Sequence, residues 1–408
     1  MGLRGAVLRR ALDRPAVFLV TVPGATRVRL AVEAEVCRRR WRSAGSPAEA
    51  DLLAVAGSPA AECASWLEEL WRAVPLPRAR VTVTEPAQVP LALDKGWRWL
   101  LEKPGKVIDV PHSRTDPPEK HSGHGHGNGH HGGGHANHGM DETALIAGLP
   151  MADRADDRDG LQLDRLHLSL GPSLADWPSG LVLQVALQGD VVQSVEVRHL
   201  PVPPEGIPFW SEPWQRAARG ERVSRGAAAR RRCAAHLDSM GRLLAVAGWS
   251  DTAAHARRLR DSVLAGVPSG AVRRDVQGLA RRVERSSTLR WSIGGLGELS
   301  ARRAHEAGVT GPAAVADGDA HGRLLVWLDE VAGAAHGFED DRVLGREDAM
   351  GPRGRVDDNR TPSLALLTVL PGLLEGAEFA AARIILASLD PDIDELSGPR
   401  VSGGAMHE

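Results

Sequence analysis

The sequence predicts two ordered units of different class. An α/β domain with a small parallel sheet occupies residues 1–103, and an α+β, mostly helical domain that begins with a β-hairpin occupies residues 144–408. Three observations carry this. Strand-length apolar runs alternate with an amphipathic helical run in the first hundred residues, the grammar of a parallel sheet. Between residues 104 and 143 the composition collapses to Pro, Gly and His, which leaves nothing to pack and marks a disordered linker. Beyond the linker, alternating apolar patterns give way to Ala, Leu and Arg at helical spacing. At 408 residues the chain is long enough for two or three domains with separate cores.

In the first unit, Ala16–Val22 is a strand and Val28–Val36 is an apolar stretch that enters an Arg-rich turn. Asp51–Ala56 is a short buried strand closed by Gly57-Ser58-Pro59. A helix from Ala60 to about Ala73 sets Trp66, Leu67, Leu70 and Trp71 on one face. Pro75 and Pro77 end it, and Arg80–Thr84 is the next strand. In the second unit Leu161–Leu170 alternates. Leu181–Leu187 and Val191–Val197 frame Gln188-Gly189-Asp190 as a hairpin turn. Pro201–Trp214 is a Pro-rich crossing. Helical spacing runs from Arg230 to Val263, where Ala234, Leu237, Met240, Leu244 and Val246 suit one buried face, and again over Val272–Val283. Arg323–Val331 is a further amphipathic helix, Phe338–Arg360 is a polar loop, and apolar Leu364–Leu374 and Phe379–Leu389 close the fold.

Composition excludes several functions. The 50 basic and 52 acidic side chains leave a formal charge of −2, against nucleic acid as a main partner. Only four basic residues are Lys (Lys95, Lys103, Lys106 and Lys120), and there is no Tyr, so no phenol can serve as an acid or a ligand. Cys37, Cys63 and Cys233 are too few and too scattered for a disulfide framework or a four-thiolate site, and a reduced, cytoplasmic setting is expected. Residues 1–14 do not form a signal peptide, and no apolar run reaches the roughly 20 residues needed to span a bilayer.

The positive chemical signal is the linker. His121, His124, His126, His130, His131, His135 and His138 are separated mainly by Gly. Neutral imidazoles bind Ni²⁺ or Zn²⁺, and flexible spacers allow weak, exchangeable binding rather than a closed site. A low-complexity linker without a metal explains the tract equally well. Elsewhere, Gly294-Gly295-Leu296-Gly297 lacks the Lys-Ser/Thr context of a phosphate loop. Arg230-Arg231-Arg232 is expected to be a solvated face, although it could lower the pKa of the adjoining Cys233 thiol. His236 and His255 are expected to be structural or exposed.

Four segments of the second unit resemble the large hydrophilic subunit of respiratory complex I and membrane-bound [NiFe] hydrogenases. They are Leu170-Gly171-Pro172 with the hairpin that follows, Arg242–Asp261 as a long helix pair, Thr288–Pro312 ending in Gly-Val-Thr-Gly-Pro and continued by Gly318–Val331, and Gly351–Gly354 followed by Arg360–Asp392. The last resembles that family's C-terminal strand, Pro-Ser turn and closing helix. Gly45–Glu85 is similar, more weakly, to the small partner subunit that carries the terminal iron–sulfur cluster. The resemblance implies one chain that fuses the two subunits through the His linker.

It also implies sites whose ligands are missing. Where the small subunit has a Cys after its strand, this chain has Glu85-Pro86-Ala87-Gln88, so no iron–sulfur cluster is expected. Where the hydrogenase arrangement has Asp-Pro-Cys-x-x-Cys-x-x-His, the chain reads Asp390-Pro391-Asp392 onward. Asp392 stands at the first Cys, Glu395 at the second and Gly398 at the His. Unless Asp392, Asp394 and Glu395 bind a hard cation, they are expected to form a solvated acidic C-terminus. The quinone-binding turn of complex I continues with His; here Gly171 and Pro172 lead to Asp176 and Trp177, which line a remodelled pocket or form a tight turn with a packed Trp. Three functions follow. The chain is a structural, assembly or coupling subunit of a complex I-like or hydrogenase-like membrane assembly, peripheral on the inner face of the membrane; or a His-rich Ni/Zn-binding accessory protein; or an oxidoreductase with a remodelled quinone site.

Overall fold

The computed structural model describes residues 12–102, 162–204, 206–356 and 361–397, with the backbone of short strands at Ile108–Asp109, Leu145–Ile146 and Leu149–Asp156. The seven histidines from His121 to His138, most of the expected linker, and Gly398 lie outside the described residues.

The first unit is a parallel α/β sheet. Its strands are β1 (Ala16–Thr21), β2 (Arg42–Ser43), β3 (Leu52–Ala56), β4 (Ala79–Val83) and β5 (Ile108–Asp109), in the order β2-β1-β3-β4-β5. Every residue of β3 is buried because both faces of the sheet are covered. Helices α1 (Thr26–Arg38) and α3 (Val89–Glu102) pack on one face through Val28, Val32, Val36, Leu93 and Leu100. Helix α2 (Ala64–Ala73) covers the other through Leu67 and Trp71. The apolar stretch Val28–Val36 is helical: its valines recur every four positions, the spacing of one helix face.

The second unit opens with an antiparallel sheet of β6 (Leu145–Ile146), β7 (Leu149–Asp156), β8 (Gln162–Leu170), β9 (Leu181–Gln188) and β10 (Val191–His199), in sequential order. Gln188 pairs with Val191, so Gly189 and Asp190 alone make the hairpin turn. The continuous helical pattern from Arg230 to Val263 divides into α4 (Arg225–Val246) and α5 (Ser250–Leu264) at Gly248, whose φ of 85° no helix accepts. Ala234, Leu237, Met240 and Leu244 of α4 are fully buried, as the spacing predicts. Helices α6 (Ser269–Glu284), α7 (Ala320–Ala334), α8 (Pro362–Val369) and α9 (Phe379–Leu389) complete two adjoining cores. One gathers around α4; the other joins the hairpin sheet to α8 and α9.

The described part of the expected polar loop, residues 338–356, is a loop, but not simply a solvated one, because Arg353 within it is buried. In place of the expected strand the structure has an isolated bridge between Met350 and Arg355. The Gly-Val-Thr-Gly-Pro segment fixes this loop. Gly311 has φ 69° and ψ −153°, a region essentially closed to other residues, and a Cβ there would lie 2.7 Å from the Gly354 Cα. We expect Gly311→Ala to lower unfolding free energy by about 3 kcal/mol. Gly278→Ala, on the open side of α6 where a Cβ meets nothing within 4 Å, should be neutral or mildly stabilising. Urea denaturation of both variants checks the contrast.

Candidate functional site

The two units meet through buried charge. Helix α1 begins at Thr26 after Ala25, which offers no side chain to cap it. The entrance to the helix is held from 370 residues downstream: the Gly24 N–H donates to Asp394 Oδ1 at 2.6 Å, and the Thr26 hydroxyl donates to Asp394 Oδ2 at 2.8 Å. A carboxylate beside a helix N-terminus is favoured by the helix dipole. One turn on, Arg29 reaches across to Asp238 of α4 with a two-pronged contact of 2.7 and 3.2 Å. Arg260 of α5 joins Asp238 to Glu33 of α1, both at 2.6 Å.

From Asp238 the network continues inward. Arg242 bridges Asp238 and Asp390, each at 2.9 Å. Ser239 donates to Asp390 at 2.6 Å, and Arg353 donates to both the side chain and the backbone carbonyl of Asp390. Asp390 ends α9 in a left-handed conformation, φ 44°, which turns the chain into the Ile393–Leu396 turn. There Glu395 accepts from the Ser363 hydroxyl at 2.6 Å, and that hydroxyl accepts from the Asp392 N–H at 2.9 Å. Arg353 Nη1 and Asp392 Oδ2 face each other at 3.9 Å, and neither has a hydrogen-bond partner among the described residues.

Asp392, Asp394 and Glu395 are thus not a solvated acidic tail. They are 8%, 5% and 4% exposed. The expectation failed because it counted local charge, whereas the partners lie on α1, α8 and the 351–354 loop.

The charges are unequal in fate. Burial pushes the Asp238 carboxyl up, but Arg29, Arg242 and Arg260 overrule it and hold it well below the usual carboxylate range. Glu33 is likewise brought down to about 2, against its burial, by Arg29 and Arg260. At the inner end the balance reverses. Burial and then the neighbouring Asp394 push Asp392 up to about 8. Burial also raises Asp394 and Glu395. The cluster sets six carboxyls (Glu33, Asp238, Asp390, Asp392, Asp394, Glu395) against four guanidinia (Arg29, Arg242, Arg260, Arg353), so retained protons bring it towards neutrality.

Beside this network lies a cavity of about 400 Å³, between β1 and α1 on one side and the 172–179 turn and α5 on the other. Gly171 has φ 90°, and a Cβ there would strike the Leu181 carbonyl oxygen at 2.2 Å. The Gly171-Pro172 peptide is cis. Trp177 is buried and donates to that same carbonyl at 2.8 Å. Asp176 faces the cavity and pairs with Arg257; burial pushes its carboxyl up while Arg257 opposes. Gly171, Pro172, Asp176 and Trp177 therefore form one turn that supplies a cavity wall and a packed indole. A space of this size admits a small molecule. Its lining includes carboxyl, guanidinium and hydroxyl groups, with no thiol or imidazole among the described residues.

The remaining candidates disperse. Cys37 is exposed, Cys63 is buried beneath the parallel sheet, and Cys233 is enclosed in α4. Burial pushes the Cys233 thiol up to about 12 although Arg230 opposes it, so the expected activation of that thiol is reversed. Arg230, Arg231 and Arg232 are not a solvated face; their guanidinia sit over Phe338, Phe209 and Trp214 at 4.5, 3.9 and 5.5 Å. His236 is buried, and its pKa falls to about 3 through burial and the nearby Arg232 and Arg353. In the Gly294–Gly297 segment the Gly295 N–H is occupied by Asp319, and Arg323 holds the Gly297 carbonyl. Among the described residues no three His, Cys, Asp or Glu side chains are grouped to hold a metal ion. Asp392 and Glu395 offer only hard carboxyl oxygens, a donor set that does not fit a nickel–iron group.

No protein-family model matches this chain, and no curated protein does either. Among solved structures, a chain of the membrane-bound sulfane sulfur reductase (MBS), an archaeal respiratory membrane complex, is similar at a TM-score of 0.42 and 17% identity; the match covers 56% of this chain and 98% of that one.

Asp392 generates a pH test. Unfolded, it ionises near 4; folded, it keeps its proton to about 8. Between those values the folded state binds more protons, so this residue's contribution falls as pH rises. We expect Asp392→Asn to melt above the parent at pH 8, with the difference closing by about pH 4. An offset independent of pH in paired thermal melts would contradict it.

Proposed function

We propose that this chain is a fusion of the small and large hydrophilic units of a complex I-like or membrane-hydrogenase-like assembly, and that it works as a structural or coupling subunit without redox cofactors of its own. The observation that carries this reading is the use made of Asp392, Asp394 and Glu395. The resemblance places thiolates at Asp392 and Glu395; here carboxyls stand there, buried within the large unit, where Glu395 accepts from Ser363. Asp394, between them in sequence, joins that unit to the small one by accepting from Gly24 and Thr26. The partners are membrane subunits, and the chain sits against the inner membrane face; no helix among the described residues is long and apolar enough to cross a membrane.

The test is purification of the full chain from solubilised membranes of its own cells. Membrane-spanning subunits should copurify in stoichiometric amount, and the chain isolated from them should carry no stoichiometric iron or visible absorption band. Iron at four atoms per chain would overturn the cofactor-free reading, and reduction of a ubiquinone analogue by the chain alone would instead support a remodelled quinone site at the cavity beside Asp176.

The His tract supports a second reading, an accessory protein that binds nickel or zinc through His121, His124, His126, His130, His131, His135 and His138. Calorimetric titration of the full chain with Ni²⁺ should show weak, multi-site binding that disappears when residues 121–138 are deleted, while the melting temperature stays unchanged. Binding that survives the deletion would move the metal elsewhere.

A further inference from the structure

The outward face of α6 carries arginines unpaired among the described residues. Residues 269–291 hold six arginines against two acids, Asp275 and Glu284, in a chain whose net charge is −2. Val272, Val276, Leu279 and Val283 face the core. At about 100° per residue, Arg274, Arg281 and Arg285 fall opposite them, within about 40° of one another and along about 16 Å of axis. Both acids fall on the flanks of that stripe, roughly 80–100° away. Arg274, Arg281 and Arg285 are exposed and take no ion pair among the described residues. The next helix, Ser287–Ile293, adds Trp291, an indole 85% exposed.

We propose that this stripe and Trp291 form a docking surface for an anionic lipid headgroup layer. Each guanidinium presents paired N–H donors that match a phosphodiester. Indole is the side chain best suited to lie between headgroups and acyl chains. A straight, convex row of like charges fits a flat anionic surface, and an attraction of this kind acts within about 10 Å of it, so the chain's overall balance of charge does not oppose it. A protein partner that took Trp291 as its anchor is the alternative the experiment below distinguishes. A nucleic acid asks for more phosphate contacts than three aligned arginines make. The surface is independent of the assembly proposed above, since it is read on the purified chain.

The experiment is cosedimentation of the full chain at pH 8 with vesicles of phosphatidylglycerol and phosphatidylcholine, against phosphatidylcholine alone. Binding should require the anionic lipid and be lost as salt rises to about 0.5 M. Arg274→Glu/Arg281→Glu/Arg285→Glu should weaken it at least about tenfold, and Trp291→Ala should weaken it without changing the salt dependence. Deletion of residues 121–138 should leave it unchanged. All four positions point outward, so melting curves should match the parent; if the triple variant misfolds, Arg281→Gln alone must still weaken binding. Equal binding to neutral vesicles, or parental binding by the charge-reversed variant, overturns the proposal. So does failure to bind vesicles together with Arg-dependent binding to heparin or an acidic polypeptide, which would assign the stripe to a polyanion or a protein.

Discussion

Asp238 is the point on which the arrangement of the two units depends. Its carboxylate is surrounded by Arg29 from the parallel-sheet unit and by Arg242 and Arg260 from the helical one. Removing these groups from water costs several kcal/mol each, and only close, hydrogen-bonded pairing recovers it. Arg260 is wholly buried and Asp238 is 1% exposed, so a displacement of α1 by one turn would leave charges unpaired in the interior. Such clusters are poor evidence for net stability, because well-packed apolar side chains do as well. Their strength is discrimination among arrangements. Here the discrimination acts on register: Arg29 and Glu33 lie one turn apart on α1 and meet partners on two different helices.

What was legible in the sequence follows from the range of the interactions involved. The strand at Leu52–Ala56, the hairpin around Gly189-Asp190 and the buried face of α4 obey local rules of periodicity and turn chemistry, and they stand where the pattern predicts them. Helix α3 gave no comparable signal, since Pro90 and Gly96 interrupt its sequence and it is held by packing against β3 and β4. The site was the least legible part. Asp394 finds its partners 368 and 370 residues away, and Arg29 finds Asp238 at a separation of 209. One sign was available: Ala25, at the start of a helix that has no cap of its own.

The inner end of the cluster shows what buried carboxyls do when positive groups are too few to match them. Asp390 is matched by Arg242, Arg353 and Ser239 and is fully engaged. Asp392 and Glu395 then share what remains of the Arg353 guanidinium with the Ser363 hydroxyl, while Asp394 has Gly24, Thr26 and the charge of Arg29 beside it. Hydroxyls solvate a carboxylate only in part. The least compensated member therefore keeps its proton, and that member is Asp392, whose Oδ2 has no hydrogen-bond partner among the described residues.

The same pairing constrains the neighbouring cavity. Arg29, Arg242 and Arg257 all reach its wall, yet each is already committed to a carboxylate: Arg29 to Asp238, Arg242 to Asp238 and Asp390, Arg257 to Asp176. An anionic occupant would have to compete with these carboxylates for guanidinia they already hold, at a cost in pairing energy. A neutral molecule with one or two polar atoms faces no such cost, because it can accept from a guanidinium edge or a serine hydroxyl while Leu174, Ala253 and Val32 cover its apolar body. The interlock that joins the two units thus also restricts the chemistry of whatever enters the space between them.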